Sequence, residues 1–312
     1  MQAAIVHAFG SPPGFGTVPE PAAGGEHEVL VDVLAAGLHP RVRSGADGSH
    51  YTSDGVLPLV PGVDAVGRAP GGELLYFVAL DGGPGTMAER AVADRRRAVV
   101  LPPDADPVAV AAAMNPAMSS WIALRRRVGF RPGGSVLVLG ATGGAGRLAV
   151  QIARRLGAAR VVGAGRDERR LAPLHALGAD ATVQLDDTER LAATAADVDV
   201  VLDYVWGPPT EQAMPALLRA RKDRSKPLSW IQIGSVAGAE IALPSALLRA
   251  ANLTLLGSGQ GSVTTEGIVA ELPSLADAIP SLAMEALPMP LDQVEQAWSA
   301  PVEAGRRIVL VP

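Results

Sequence analysis

The first hundred residues alternate between short apolar segments and turns rich in glycine and proline. Each apolar segment has the length of a β-strand, and a stretch such as Gly-Ser-Pro-Pro-Gly at 10–14 is typical of the turns between strands. Strands at this spacing predict a small β-barrel or sandwich. The predicted strands are residues 3–6, 29–34, 74–79, 88–93 and 98–101.

The pattern changes near Pro107, where alanine-rich and amphipathic segments of helix length begin. Helices are predicted at 108–114 and 119–128, and beyond them strands and helices alternate, which is typical of a parallel sheet covered on both faces. From about Thr265 the pattern predicts one helix and a closing strand at 306–311, which we expect to rejoin the first domain. The alternating strands are predicted at 135–139, 160–162, 181–185, 198–202 and 228–233, and the helices at 144–156, 168–177 and 210–220.

Composition narrows the classes of function. The chain has 312 residues, of which 48% are hydrophobic and 19% charged, as in an ordinary globular protein of one or two domains. It carries 27 Lys and Arg against 32 Asp and Glu, a formal net charge of −5, and no basic block is interleaved with aromatic residues. We therefore expect no nucleic-acid partner. The absence of cysteine excludes disulfides, thiolate nucleophiles and cysteine-ligated zinc.

The sequence predicts neither a leader peptide nor a membrane span. Residues 1–10 show no basic segment followed by an apolar core, and no apolar run approaches the roughly 20 residues of a membrane helix. We therefore expect a cytoplasmic protein that has no membrane partner.

The strongest local signal follows the predicted strand 135–139. The sequence from Gly140 to Gly146 reads Gly-Ala-Thr-Gly-Gly-Ala-Gly and leads into a predicted helix. Small residues allow a backbone to approach a diphosphate, and a helix N-terminus offers free N–H groups and a partial positive charge. Because a strand precedes the loop and a helix follows it, we predict a dinucleotide-binding loop rather than a tight turn without a ligand. The predicted contacts are Ala141, Thr142, Gly143, Gly144, Ala145 and Gly146.

The end of the second predicted Rossmann-type strand indicates which dinucleotide binds. NAD sites usually place an Asp or Glu there to accept hydrogen bonds from the ribose 2′-hydroxyl. Here the strand runs through Gly165 to Arg166, with Arg169 and Arg170 one turn later. A guanidinium is always charged and binds phosphate bidentately, so we predict NADPH held by Gly165, Arg166 and Arg170. Asp167 could instead pair with one arginine, and the later arginines could simply face solvent.

Several further segments resemble one protein family. They are Leu-Val-Pro-Gly-Val-Asp-Ala-Val-Gly at 59–67, Ser-Ser-Trp at 119–121, the loop 140–146 followed by Ala-Val-Gln-Ile-Ala at 149–153, Leu-Gly-Ala-Asp at 177–180, and Gly-Arg-Arg-Ile-Val-Leu at 305–310. Over nearly the whole chain they resemble the zinc-independent quinone oxidoreductases, the zeta-crystallin-like branch of the medium-chain dehydrogenase/reductase superfamily.

The resemblance implies an α/β fold with a GroES-like β-barrel substrate domain plus a doubly wound parallel-sheet Rossmann domain. The implied bounds are 1–118 and 263–312 for the GroES-like substrate domain, and 119–262 for the Rossmann NADPH-binding domain. The resemblance also implies a homodimer, joined through edge strands near residues 251–256.

Departures from the superfamily patterns bear on metal and substrate. Where its zinc enzymes carry Gly-His-Glu, this chain has Val63 followed by Asp64, so a histidine ligand is missing. A different metal site built from His39, His50 and Asp64 is conceivable, but we predict no metal. The zinc-independent family often has an Asn and an Asp where His39 and Val42 stand, so the substrates are expected to differ from simple quinones. Some NADPH-specific members also carry a Tyr where this chain has Leu185.

Three residues are candidates for the chemistry, since hydride transfer requires a hydrogen-bond or proton donor at the acceptor oxygen. Tyr51 lies in a loop where members of the family place a Tyr facing the nicotinamide. His39 precedes Pro40 and could donate from a ring N–H. Asn115 lies where the family approaches the nicotinamide. The alternatives are a loop-closing aromatic for Tyr51, a structural histidine for His39 and a helix cap for Asn115.

The resemblance assigns further cofactor contacts to the ends of other strands. Ser119 matches a family Thr that touches the cofactor. Tyr204 follows the fourth strand of the Rossmann domain, and Trp206 beyond it either walls the substrate side or packs in the ordinary way. The remaining contacts are Gly234 after the fifth strand, and Ser258 and Gly259 after the sixth.

These observations leave three functions open, of which we predict the first. It is an NADPH-dependent, zinc-free oxidoreductase that transfers a hydride to a small-molecule quinone, enone or similar activated double bond. The second is a biosynthetic reductase or cyclase acting on a dedicated imine or polyketide-like substrate, which the departures at His39 and Val42 favour. The third is an inactive NADPH-binding sensor.

Overall fold

The computed structural model describes residues 1–53, 55–80, 82–303 and 305–312. The chain divides into two compact units. Unit 1 comprises Met1–Asn115 and Ile268–Pro312, and unit 2 comprises Pro116–Gly267. The two ends of the chain therefore belong to one unit, and the segment between them forms the other.

Strands dominate the beginning and the end of the chain, and helices alternate with strands between them. The strands are β1 (Gln2–Ile5), β2 (Gly14–Thr17), β3 (Glu28–Gly37), β4 (Asp64–Arg68), β5 (Leu74–Val78), β6 (Arg90–Asp94), β7 (Ala98–Val100), β8 (Ser135–Leu139), β9 (Arg160–Gly165), β10 (Ala181–Gln184), β11 (Val200–Asp203), β12 (Leu228–Gln232), β13 (Leu253–Gly257), β14 (Glu285–Pro290) and β15 (Arg306–Val311). The helices are α1 (Pro40–Ala46), α2 (Pro107–Ile122), α3 (Gly144–Arg155), α4 (Glu168–Leu171), α5 (Thr188–Ala195), α6 (Gly207–Ala220), α7 (Ser245–Ala250), α8 (Thr265–Val269), α9 (Leu272–Ala278) and α10 (Val294–Ser299).

The sheet of unit 1 is organised by its longest strand, β3. One edge of β3 pairs with β4, and the other pairs with β6 at the start of the strand and with β15 at its end. The full order is β14-β15-β3-β4-β5-β7, with a separate antiparallel pair, β1 and β2. Val31 and Val33 point into the core while Asp32 between them is exposed, which is the alternation of a half-buried strand.

The sheet of unit 2 has six strands in the order β10-β9-β8-β11-β12-β13, and all its pairings are parallel. Counted from β8, this is the order 3-2-1-4-5-6 of doubly wound dinucleotide-binding sheets. The direction of winding changes between β8 and β11, so the loops that follow these two strands lie side by side at the carboxyl edge. Ligands of such sheets bind at this switch point.

The two helices predicted at 108–114 and 119–128 are in fact one helix, α2, so that prediction is wrong. Pro116 lies inside α2, and because it lacks an N–H it removes one helical hydrogen bond. The hydroxyl of Ser119 donates to the Pro116 carbonyl at 2.7 Å. Met114 and Trp121, on either side of the proline, are both buried, so packing along the helix offsets the missing bond.

Two other predicted elements differ from the structure. The helix predicted at 168–177 leaves α-helical geometry after Leu171 and continues as a 3₁₀ turn, because Pro173 cannot donate a backbone hydrogen bond. The tail beyond Thr265 contains three helices and strand β14 rather than one helix. Pro288 and Pro290 obscure the strand pattern of β14, although proline is tolerated on an edge strand.

The helical segment Pro107–Arg127 has the length and mean hydropathy, 1.2, that could suit a membrane span. In this structure 67% of its most apolar window is buried inside the protein. Core helices of globular proteins share these properties, so the segment is weak evidence for a membrane helix.

Candidate active site

The loop after β8 is shaped by its glycines. Gly140 has a φ of +84°, and its N–H and that of Ala141 both donate to the Ala164 carbonyl of β9, at 3.0 and 2.9 Å. The chain then turns, and α3 begins after Gly143. Gly143 is the N-cap residue of α3, and no side chain caps the helix there. The first-turn N–H groups of α3 therefore lack a side-chain acceptor, and a phosphate could accept from them.

Two glycines of the loop have different physical roles. A Cβ at Gly146 would lie 2.2 Å from the Gly140 carbonyl oxygen, so Gly146 allows helix and loop to touch. A Cβ at Gly143 would meet its nearest heavy atom, the same oxygen, at 3.5 Å. The space above Gly143 is thus open in the protein, as a ligand-facing glycine requires.

The tip of β9 lies against this loop. A Cβ at Gly165 would come within 2.6 Å of the Thr142 side chain, so two predicted cofactor contacts are neighbours. Arg166 follows and is exposed, and the described residues give it no carboxylate partner. Arg170 instead forms an ion pair with Asp167 at 3.4 Å. Of the predicted phosphate-binding arginines, Arg166 is therefore the one whose charge is available.

The Tyr204 phenol lies next to a second predicted contact. Its hydroxyl and that of Ser119 are 2.9 Å apart. Burial raises the pKa of Tyr204 to about 12, so the phenol stays protonated at neutral pH and can donate a hydrogen bond. A Cβ at Gly234 would lie 2.8 Å from the Tyr204 carbonyl oxygen. Ser258 is buried, and its N–H donates to Gln232 at the end of β12, while Gly259 is exposed.

A buried carboxylate, Asp203, fixes the loop that carries Tyr204. Its Oδ1 accepts from the backbone N–H groups of Val205 and Trp206 at 2.9 and 3.0 Å. Its Oδ2 accepts from the Thr210 hydroxyl at 2.7 Å and the Trp230 indole at 2.9 Å. Asp203 is fully buried, so these four donors are what make burial of its charge tolerable.

Trp206 is held in an unusual backbone conformation. Its φ of 52° and ψ of −164° fall in a region that is nearly restricted to glycine and costs about 1–3 kcal/mol. The side chain lines a cavity of about 400 Å³ at the carboxyl ends of β12 and β13. Backbone strain of this kind often accompanies ligand sites. The cavity is also lined by Gln232, Ser235, Ala239, Leu255, Leu256 and Gly257.

Unit 1 contains a second buried carboxylate, Asp64, at the start of β4. It accepts from Tyr76 at 3.0 Å and Asn115 at 3.3 Å, and its Oδ1 lies 2.9 Å from Nε2 of His39. The structure therefore brings two of the three catalytic candidates, His39 and Asn115, onto one carboxylate. Tyr51 lies outside this hydrogen-bonded group and is 69% exposed.

Comparison with known proteins gives a family match that lies mostly in unit 2 and a relative that matches along the full length. Residues 144–274 match the family model for zinc-binding dehydrogenases. A probable NADPH-dependent quinone reductase of Emericella nidulans is 32% identical, over 100% of both chains. The chain belongs to the quinone oxidoreductase family of the medium-chain dehydrogenase/reductase superfamily.

Other quinone oxidoreductases share the fold, which confirms the predicted α/β class. The quinone oxidoreductase of Thermus thermophilus, solved also in complex with NADPH, is 26% identical and superposes with a TM-score of 0.84 over 100% of both chains. A 2-methylene-furan-3-one reductase of Solanum lycopersicum is 32% identical over 58% of this chain and 50% of that protein.

The residues present do not fit the zinc that the family model's description implies. In the described ranges no three His, Asp or Glu side chains are grouped so as to hold a metal ion. Both carboxylate oxygens of Asp64 are already engaged by His39, Asn115 and Tyr76. The nearest candidate ligands are therefore committed to one another.

The sequence did not predict the hydrogen-bonding roles of two buried carboxylates, Asp64 and Asp203. From the sequence, Asp64 was considered only as a metal ligand, and Asp203 was not considered. Each is a single acid inside an otherwise apolar run, at 59–66 and 200–205. That pattern could have been noticed, since a lone buried carboxylate must find donors, but the donors themselves come from distant segments.

His50, which precedes Tyr51 in its loop, is predicted to make the stability of the protein depend on pH. Burial, and then the positive charge of Arg41, lower the pKa of His50 from 6.5 to about 4. A lowered pKa means that the unfolded chain binds this proton more tightly. The neutral ring therefore contributes stability that is present above pH 6.5 and is lost as the pH falls towards 4. We expect an NMR titration of His50 to show a midpoint near pH 4, and Arg41→Gln to raise it; a wild-type midpoint near 6.5 would count against this.

Proposed function

We propose that the chain is an NADPH-dependent, zinc-free reductase that transfers a hydride to a quinone, an enone or a similar activated double bond. One observation carries the proposal: a helix N-terminus without a side-chain cap and an open glycine, Gly143, lie at the switch point of the unit 2 sheet. Arg166, which has no ion-pair partner in the described part of the chain, follows at the neighbouring strand end. The named relatives support it, since one is a quinone reductase and another an enone reductase.

The loop 140–146 holds the diphosphate through backbone N–H groups, and Arg166 holds the 2′-phosphate. The cofactor-binding set is the predicted one, namely Ser119, Ala141, Thr142, Gly143, Gly144, Ala145, Gly146, Gly165, Arg166, Arg170, Tyr204, Gly234, Ser258 and Gly259. Within this set Arg170 is the weakest member, because its charge is shared with Asp167.

When bound, NADPH supplies the hydride, and the protein must orient the acceptor and stabilise the charge that develops on its oxygen. His39 can do this if Nε2–H donates to Asp64, because Nδ1 is then the ring atom that takes up or releases a proton. In that tautomer the carboxylate of Asp64, 2.9 Å from Nε2, fixes the orientation of the ring. Asn115 and the Tyr51 phenol are further donors in the proposed catalytic set.

The domain roles follow from the same proposal. Residues 119–262 bind NADPH, and residues 1–118 with 263–312 bind the acceptor and contribute the proton donor. We also propose that the enzyme acts in the cytoplasm as a homodimer, without a nucleic-acid or membrane partner.

The experiment that tests the function is oxidation of NADPH, followed by its absorbance, against a panel of quinones and enones. Turnover of several acceptors is expected. Turnover restricted to one dedicated imine or enone would favour the biosynthetic reductase, which the departures from the family pattern at His39 and Val42 motivate. Tight NADPH binding without turnover on any acceptor would favour an inactive sensor.

Arg166 gives a direct test of cofactor choice. We expect Arg166→Ala to raise the Kd for NADPH about tenfold or more, since a hydrogen bond to a charged group contributes about 1.5–3 kcal/mol. The Kd for NADH should change less than twofold, because NADH lacks the 2′-phosphate. Arg169→Ala is the matched control, being an exposed arginine three residues later, and should leave both values unchanged. Equal losses for NADPH and NADH would remove the assigned role of Arg166.

A further inference from the structure

Two arginines of unit 1 lie near His39: Arg43 by its place in α1, and Arg307 by a side-chain hydrogen bond. Nη1 of Arg307, in β15, donates to the Leu38 carbonyl at 3.4 Å. The backbone N–H of Arg43, in α1, donates to the His39 carbonyl at 3.2 Å. The Leu38 N–H in turn donates to Ile308 at 2.9 Å, so strand β15 and the segment 38–39 hold each other in place.

Near His39, the two positive charges of Arg43 and Arg307 are not matched by paired carboxylates among the described residues. The nearby carboxylate is Asp64, and both its oxygens are engaged by neighbouring side chains. The guanidinium of Arg43 donates to the Trp298 carbonyl at 2.6 Å, and its central carbon lies 5.1 Å from the centre of the Trp298 ring. Across the described residues, neither Arg43 nor Arg307 has a carboxylate within ion-pair distance. Arginines shielded from water are usually paired, so this is an unusual arrangement.

Arg307 has unused hydrogen-bonding capacity. Its Nε is buried and has no hydrogen-bond partner in the described part of the chain. Its bond to Leu38 is long at 3.4 Å, near the limit for a hydrogen bond, and uses one of the five N–H donors of a guanidinium. Anchoring Leu38 alone would therefore not require an arginine.

The surroundings of Arg307 disfavour its charge. Burial lowers the pKa of Arg307 to about 10; Asp64 opposes this shift and the positive charge of Arg43 adds to it. Burial also lowers the pKa of Arg43. Both groups remain protonated at neutral pH, so two partly desolvated cations repel each other, and an anion between them would relieve that repulsion.

We propose that Arg307 and Arg43 bind an oxyanionic group, a carboxylate or phosphate, of a ligand that lies beside His39. The planar fork of a guanidinium matches the two oxygens of such a group. The group belongs to the acceptor, so the inference rests on the proposed function and names its substrate class, which is a quinone or enone that carries an acidic substituent.

The test compares (E)-4-oxopent-2-enoate with its methyl ester, an enone pair that differs in the negative charge. Arg307→Gln keeps an N–H donor for Leu38 and removes the charge. We expect the ratio of kcat/KM for acid over ester to fall about tenfold or more relative to the wild type, with partial recovery of this ratio in Arg307→Lys. A tenfold rise in the Kd for NADPH with an unchanged acid/ester ratio would overturn the proposal, and so would no change in either quantity.

Arg306→Gln is the control, because Arg306 is the neighbouring residue and its charge is paired with Glu285 at 2.9 Å. It should change neither quantity. Thermal unfolding of each variant verifies folding, and Arg43→Gln replaces Arg307→Gln if the latter does not fold. If the protein reduces no acceptor, the proposed function fails, but the site is still tested by thermal shifts with sodium pyrophosphate and sodium levulinate. A shift that Arg307→Gln abolishes would support the site, and no shift with either salt would overturn it.

Discussion

Gly143→Ala is expected to leave the protein folded and to weaken NADPH binding about a hundredfold, or ~2.7 kcal/mol. The backbone of Gly143 has φ −76° and ψ 167°, which alanine adopts without strain. The nearest heavy atom to the new Cβ would be the Gly140 oxygen at 3.5 Å, an ordinary contact. The methyl group would instead occupy the space through which a diphosphate approaches the loop amides. The measurements are thermal unfolding and titration with NADPH.

Two other glycine-to-alanine variants serve as comparisons for Gly143→Ala. Gly146→Ala places a Cβ 2.2 Å from the Gly140 oxygen, so the backbone must move, and both the unfolding temperature and NADPH affinity should fall. A Cβ at Gly71 would meet no heavy atom within 4 Å, so Gly71→Ala should change neither. If Gly143→Ala binds NADPH as tightly as the wild type does, the loop is a turn without a ligand.

Asp203→Ala should produce the largest loss of stability. Removing the carboxylate leaves the Val205 and Trp206 amides, the Thr210 hydroxyl and the Trp230 indole without their acceptor. Leaving a buried donor without its acceptor costs about 1–3 kcal/mol, so the loss of the acceptor shared by these donors should lower the unfolding temperature by roughly 10 °C or more in a protein of this size.

The same variant should also lose function beyond its loss of stability. The Asp203 carboxylate holds Trp206 in its strained backbone conformation, because it accepts from the Trp206 amide. Without the carboxylate the loop after β11 should relax, and NADPH binding should weaken at temperatures where the variant is folded. Asp186→Ala, at an exposed position after β10, is the control. An unfolding temperature within 2–3 °C of the wild type, less than ~1 kcal/mol, would show that the four donors find other acceptors.

The features that the sequence predicted well are local. The loop 140–146 could be predicted because its strand, glycines and helix are consecutive in the chain. The alternation of strands and helices in unit 2 could be predicted from the short-range periodicity of apolar residues. Strand β15 was also predicted, although its pairing with β3 joins the two ends of the chain.

The features that it missed depend on contacts between distant segments. Asp64 contacts His39, Tyr76 and Asn115, which lie in separate elements. No local sequence pattern predicts which donors will contact this carboxylate. The continuity of α2 through Pro116 has the same origin, because burial on both sides overrides the local effect of proline. Arg43 and Arg307 are far apart in the chain and have no ion-pair partner among the described residues, and their charges come near one another only in the folded protein.

The most direct test of the central claim is calorimetric titration of the purified protein with NADPH and with NADH. We predict saturable binding of NADPH, at least tenfold tighter than that of NADH, because Arg166 stands where an NAD site would have an acid. Absence of binding for both nucleotides, or tighter binding of NADH, would contradict that claim.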